Sequence, residues 1–142
     1  VINTLLGMVI DTETMRPALA GVTGGLSGPA IRPIAVRCIW QIRSALPDLP
    51  IIGMGGVRTG HDALEMILAG ANAISVGTSI FNDPAAPMRI QKELEQELRS
   101  RGFESLTQAI SFAHREVSEA VTETAAGESI DHGEQNWDFI SE

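Results

Sequence analysis

Two segments of this chain place glycine where an apolar run ends: Pro50-Ile51-Ile52-Gly53-Met54-Gly55-Gly56-Val57 and Ala73-Ile74-Ser75-Val76-Gly77-Thr78-Ser79. Lacking a Cβ, glycine lets main-chain N–H groups approach an anion and take conformations that other residues avoid. Gly55-Gly56 and Gly77-Thr78 can thus offer backbone donors to a phosphate, with the Thr78 hydroxyl as a further ligand. Such a site needs no lysine, because oriented amides and a nearby helix start supply partial positive charge. The other reading is that these glycines only permit tight turns. Two pairs at successive strand ends, with Gly24-Gly25 and Gly28 besides, favour the phosphate.

Other reactive side chains are less telling. Asn3-Thr4 follows a short apolar start, and a carboxamide can pair with the amide edge of a flat heterocycle. Asn-Thr is also an ordinary turn former. Cys38 falls in the apolar stripe of a helix and reads as a core thiol rather than a nucleophile. His61 lies in a helix first turn and His114 reads as a surface histidine. Arg58, just past the glycine pair, either leans toward a phosphate or is solvated. Asp131-His132-Gly133-Glu134 matches no established metal-ligand spacing, and no metal site is expected.

The elements that must carry these residues follow from periodicity. Val1-Ile2 reads as the end of a strand. The segments 5–10 and 16–20 flank a turn at Asp11-Thr12-Glu13-Thr14, which predicts a small hairpin insertion. The stretch Thr23-Gly24-Gly25-Leu26-Ser27-Gly28-Pro29 is too rich in glycine for regular structure. A helix over 31–46 follows from Ile31, Ile34, Ala35, Cys38, Ile39, Ile42 and Leu46, stopped by Pro47. Thr59 with Asp62 predicts a capping box for a helix to about 69, and Gly70 its end. A further helix begins near Asn82-Asp83-Pro84 and closes at Gly102. Ser105 and Gln108 predict one more box, with a stripe from Leu106 through Ile110, Ala113, Val117 and Val121 to about 124.

Strands alternating with helices predict parallel α/β architecture. With only about three barrel-type strands and no internal repeat, the chain reads as the C-terminal half of a (β/α)8 barrel, whose full form takes about 250 residues. Residues 1–115 form that half-barrel, and 116–142 the end of the last helix and an acidic tail expected to be disordered.

Composition narrows the function classes. Among 142 residues, 44% are hydrophobic and 20% charged, which is ordinary for a soluble domain. Residues 1–115 hold ten acidic and ten basic side chains, so the net charge of -8 comes wholly from eight acidic residues in 116–142. With no basic stripe, nucleic-acid binding is not expected. The tail reads as a solvated end or as a dock for a basic partner. No apolar run approaches the roughly 20 residues of a membrane span. A single cysteine precludes an internal disulfide framework and suits a reducing cytoplasm.

Four blocks then resemble one family in its order and approximate spacing: Asn3-Thr4-Leu5-Leu6-Gly7-Met8, Thr23-Gly24-Gly25-Leu26-Ser27-Gly28-Pro29-Ala30-Ile31, Ile51-Ile52-Gly53-Met54-Gly55-Gly56 and Val76-Gly77-Thr78. Residues 1 to about 115 are similar to dihydroorotate dehydrogenase, and more nearly to the catalytic subunits of its NAD-linked bacterial class. The resemblance implies an FMN-containing (β/α)8 barrel that oxidises dihydroorotate to orotate in pyrimidine synthesis. By matched position, Ile2, Gly28, Gly55, Gly56, Gly77 and Thr78 contact FMN, the last four around its phosphate. Asn3 and Thr4 contact the pyrimidine.

The family's proton-abstracting cysteine and flavin-contacting lysine belong to the earlier half of the barrel, so no catalytic base is expected here and Cys38 does not replace it. The class implies a homo-oligomeric core and an electron-transfer subunit carrying FAD and a [2Fe–2S] cluster that reduces NAD. One cysteine cannot hold that cluster. Two further readings remain beside the enzyme half: a non-catalytic half-barrel binding module, and another phosphate-binding barrel enzyme such as an isomerase.

Overall fold

The computed structural model describes residues 5–115. The expected first strand, Ile2, Asn3, Thr4 and the segment 116–142 lie outside them. The chain opens with four short strands, β1 (Leu5–Met8), β2 (Ile10–Asp11), β3 (Arg16–Pro17) and β4 (Thr23–Leu26). The inner pair is the expected hairpin, with Ile10 opposite Pro17. The Asp11 carboxylate shapes its turn by accepting from the N–H groups of Glu13 and Thr14 at 2.9 and 3.2 Å. Those two bonds hold its carboxyl below the usual range.

The outer pair corrects the sequence reading. Residues 23–26 are not irregular: they form β4, antiparallel to β1, with Gly24 opposite Gly7 and Gly25 opposite Leu6. Glycine suits this strand because a Cβ at Gly24 would come 2.9 Å from a Leu19 methyl.

After a 3-10 turn at Pro29–Ile31, helix α1 (Arg32–Ala45) runs to Leu46. Its buried face is Ile31, Ala35, Ile39 and Arg43, one residue every fourth position. Cys38 lies half-buried beside that face instead of in the core, its sulfur 3.7 Å from the Arg37 guanidinium. Strands β5 (Ile52–Met54) and β6 (Ala73–Ser75) pair in parallel, with Gly53 opposite Ile74. Ile51 and Gly53 are buried, but Ile52 and Met54 are 60% and 53% exposed, so among the described residues only one face of this pair is covered.

Helix α2 (Gly60–Leu68) connects the parallel strands, because parallel pairing requires a crossover. Its capping box is complete: the Thr59 hydroxyl accepts from the Asp62 N–H, and the Asp62 carboxylate from the Thr59 N–H. It ends at Gly70 (φ +120°), where the Ala71 N–H reaches Met66 O and the Gly70 N–H reaches Ile67 O. This is a Schellman closure. Short α3 (Ser79–Asn82) follows β6, then α4 (Ala86–Ser100), which Gly102 closes in the same way through Phe103 N–H to Leu98 O. Helices α2 and α4 pack so closely that a Cβ on Gly60 would stand 2.3 Å from Leu94 N. Ala63, Leu64, Met66 and Ile67 with Ala86, Ile90 and Leu98 make half of the buried core cluster, which Ala35, Ile39, Ile51 and Val57 extend.

The last expected helix is broken. Helix α5 covers only Leu106–Ala109, Ser111 takes φ 61°, and helix resumes over 112–115. The cause is tertiary: the Ser111 N–H donates to Ile67 O in the last turn of α2, at 3.1 Å. The expected box is absent as well, since Ser105 caps nothing with its side chain and the Gln108 amide oxygen accepts from Glu104 N–H. His114 is not free on the surface. Its ring stacks on Trp40 at 3.6 Å between centroids, and its Nε2 lies 3.0 Å from Ala69 O.

Candidate functional site

Three segments converge beyond the C-terminal ends of β5 and β6, the side of a parallel sheet where ligands sit. Gly28 arrives from the loop after β4, Gly55-Gly56 from the loop after β5, and Gly77-Thr78 from the loop after β6. All five line one cavity of about 150 Å³, with Ser27, Ile31, Met54, Val57, Ser75 and Ser79. One water needs about 10–15 Å³ of such space, so there is room for a phosphoryl group.

The backbone explains why glycine is needed. Gly28, Gly55 and Gly56 have φ of 88°, 131° and 71°, in the region that disfavours other residues. A Cβ on Gly56 would lie 2.4 Å from Gly28 O, so the first two loops touch through their main chains. Gly77 faces open space, with nothing within 4 Å of an added Cβ. The N–H groups of Gly56, Gly77 and Thr78 meet no acceptor among the described residues. Unpaired amides in loops that line one cavity are the kind of donor an anion cradle is built from.

At the start of α2 two amides are already engaged: Gly60 N–H donates to Glu93 Oε2 at 2.7 Å, and Asp62 N–H to the Thr59 hydroxyl at 3.2 Å. A residue the sequence reading passed over ties the cradle together. The Ser79 hydroxyl donates to Val57 O at 2.7 Å, joining the loops after β5 and β6. Only its place after Gly77-Thr78 hinted at a role, since its acceptor is 22 residues away.

Beside the cradle lies a polar cavity of about 580 Å³ that shares Gly28, Thr78 and Ser79 with it and adds Arg32, Arg58, Asp62, Asp83 and Arg89. Arg58 is exposed there, and its guanidinium has no hydrogen-bond or ion-pair partner among the described residues. Its backbone is engaged: the N–H donates to Asp62 and the carbonyl accepts from Arg89. A larger, open groove of about 1050 Å³ meets the cradle at Met54 and Ser75 and is lined mostly by apolar residues such as Ile52, Ile74 and Leu94.

Among the described residues no group of three or more His, Cys, Asp or Glu is placed to hold a metal. None of the described helices is long and apolar enough to cross a membrane. Asn3, Thr4 and Ile2 lie outside the described residues.

A sequence profile of the family described as Dihydroorotate dehydrogenase matches residues 1–98. The chain belongs to the dihydroorotate dehydrogenase family. It is 56% identical over 109 residues to the protein of Geobacter sp. (strain M21) named Dihydroorotate dehydrogenase B (NAD(+)), catalytic subunit, covering 77% of this chain and 35% of that one. Against the protein of the same name from Desulforudis audaxviator it is 52% identical over 114 residues, covering 80% and 37%. Among solved structures, DHODH from Eimeria tenella in complex with ferulenol aligns with a TM-score of 0.66 at 32% identity, over 80% of this chain and 30% of that one. The chain thus spans about a third of the length of the dihydroorotate dehydrogenases it matches. Their match ends near residue 115 at most by length, so the acidic segment beyond is not what places the chain in the family.

One electrostatic feature sets a pH dependence. The Arg89 guanidinium and the Gly60 N–H both bond Glu93 and hold its carboxyl below the ordinary glutamate value of about 4.3. A depressed carboxyl contributes stability above its unfolded value and loses it as pH falls through the folded one. Acid unfolding below about pH 4 should therefore be shallower in Glu93→Gln than in the unaltered chain, measured by circular dichroism across an acid titration. Coincident acid limbs would exclude Glu93 as a contributor.

Proposed function

We propose that this chain supplies the flavin-phosphate portion, and part of the substrate portion, of an FMN-dependent (β/α)8-barrel enzyme that oxidises dihydroorotate to orotate in pyrimidine synthesis. The observation that carries this reading is the meeting of three glycine loops, with unpaired amides, around one cavity of about 150 Å³ at the C-terminal ends of parallel strands. The relatives' names support the reaction and its link to NAD.

The residues fit such a group by their chemistry. Gly55, Gly56, Gly77 and Thr78 hold the terminal phosphate through main-chain donors and one hydroxyl, and Gly28 closes the cradle from the third loop. Ile2 lies against the flavin. Asn3 pairs with the amide edge of the pyrimidine, and Thr4 donates or accepts beside it. FMN bound there supplies the hydride acceptor for the oxidation. The chain's own task is to bind and orient. It carries no base for the substrate proton, and Cys38, on the flank of α1, belongs to no part of the cradle.

A separate electron-transfer subunit with FAD and a [2Fe–2S] cluster passes the electrons to NAD, around a homo-oligomeric catalytic core in the cytoplasm. Residues 1–115 correspond to the C-terminal half of the barrel, and 116–142 to a terminal extension.

Titrating the 142-residue chain with FMN and with riboflavin, followed by quenching of flavin fluorescence, tests the reading. The expected result is binding of FMN at least about tenfold tighter than riboflavin, from two or more amide bonds to the phosphate. No dehydrogenation of dihydroorotate is expected from this chain alone. Equal affinity for the two flavins would remove the phosphate assignment, and turnover would remove the assignment of the base to another segment.

A further inference from the structure

The cradle loops are held from outside by two arginines. On one side, Arg32 at the start of α1, four residues after Gly28, pairs with Asp62 at 2.6 Å and with Glu65 at 3.0 Å. Asp62 is only 6% exposed and accepts from the N–H groups of Arg58 and Thr59 at 2.9 and 3.1 Å. On the other side, Arg89 of α4 donates to Arg58 O through both terminal nitrogens, at 3.3 and 3.2 Å. The same guanidinium pairs with Asp83 at 3.0 Å, past the end of α3, and with Glu93 at 2.7 Å. Glu93 in turn accepts from Gly60 N–H.

Every bond in this set except Arg32–Glu65 ends on the segment 58–60 or on a residue bonded to it. That segment directly follows Gly55-Gly56. Arg32 ties it to the Gly28 loop, and Arg89 ties it to the segment after Gly77-Thr78. The three contributors to the cradle are therefore linked by charge-assisted bonds that themselves lie outside the cavity's immediate wall.

We infer that Arg32 and Arg89 are positioning residues: they set the separation and aim of the glycine loops, and through them the affinity for a phosphoryl group. This rests on the phosphate reading of the cradle given above. Exposed ion pairs add little to stability, and Arg89 is an exposed residue. Fixing the direction of amide donors before the anion arrives is a different effect, because binding then incurs less ordering cost. The planar fork also matters. A guanidinium can serve a carbonyl and two carboxylates at once in fixed directions, which a lysine ammonium on a flexible stem does not reproduce.

The test uses the full chain with Arg89→Ala, Arg89→Lys and Arg32→Gln, titrated with FMN and riboflavin, together with backbone amide exchange of the ligand-free proteins at Arg58, Thr59 and Gly60. Arg89→Ala is expected to weaken FMN about fivefold and Arg32→Gln about tenfold, with riboflavin unchanged. Arg89→Lys should recover less than half of the Arg89→Ala loss. Exchange at Thr59 and Gly60 should quicken in both arginine deletions. Unaltered FMN affinity in Arg89→Ala overturns the inference, as does an equal loss for FMN and riboflavin, which would mark a purely structural role. Should the unaltered chain favour neither flavin, the phosphate reading falls by itself. The amide exchange then decides the clamp: faster exchange upholds it and unchanged exchange ends it.

Discussion

Gly56→Ala should abolish the phosphate preference of this chain, lowering FMN affinity by about a hundredfold while riboflavin affinity stays within about twofold. The added methyl has no place to go. It would stand 2.4 Å from Gly28 O and 3.0 Å from Gly28 C, which are main-chain atoms that cannot swing aside. The residue also sits at φ 71°, where an L side chain costs about 1 kcal/mol or more. Relief requires the loops after β4 and β5 to part, and parting them turns the adjacent Gly55 and Gly56 amides away from the cavity. Two lost bonds to a charged oxygen, at about 1.5 kcal/mol each, amount to about 3 kcal/mol and hence the hundredfold. Gly77→Ala is the matched control: its Cβ meets nothing within 4 Å, so a loss under about tenfold is expected. Fluorescence titration of both variants reads the difference. Equal affinities for FMN in Gly56→Ala and the unaltered chain would mean that the cradle does not bind the phosphate.

The second large effect lies at the opposite end of the strands. Arg43→Met should lower unfolding free energy by about 3 kcal/mol, measured by urea denaturation. Arg43 is 7% exposed in the otherwise apolar face of α1. Its guanidinium donates to Gly70 O at 3.1 and 2.7 Å, to Asn72 Oδ1 at 2.7 Å, and to Pro47 O. It therefore satisfies carbonyls at the end of α2 and of α1 while holding Asn72, whose side chain also accepts from Ile51 N–H at 2.8 Å before β5. Methionine keeps much of the stem's packing but leaves these acceptors unpaired, at about 1–3 kcal/mol for each buried group. Relief from burying a charge offsets part of that. A loss below about 1 kcal/mol would show that water replaces the guanidinium freely. Flavin preference should survive the change, because the strands' other ends carry the cradle.

Much of the local structure was readable from residue order. The Thr59–Asp62 box, the glycine closures at Gly70 and Gly102 and the spans of α1 and α2 depend on neighbours within about five positions. The grouping of Gly55, Gly56, Gly77 and Thr78 was also expected, since strands that alternate with helices bring their C-terminal loops to one side, and the family resemblance added Gly28. What failed involved partners farther along the chain. Residues 23–26 became a strand because β1 was there to pair with them. The stripe beyond Leu106 broke because Ile67 O, 44 positions earlier, captured the Ser111 amide. His114 found Trp40, and Arg43 found Gly70 and Asn72.

Residue order by itself therefore determined where this protein can expose main-chain amides: glycine's missing side chain is a property of the residue and needs no context. Tertiary structure alone decided that those residues line one space of about 150 Å³, and that Arg32 pairs with Asp62 and Arg89 with the Arg58 carbonyl beside it. Such bonds act at about 3 Å between residues up to 31 positions apart. No periodicity records them, because only packing brings their donors and acceptors within reach.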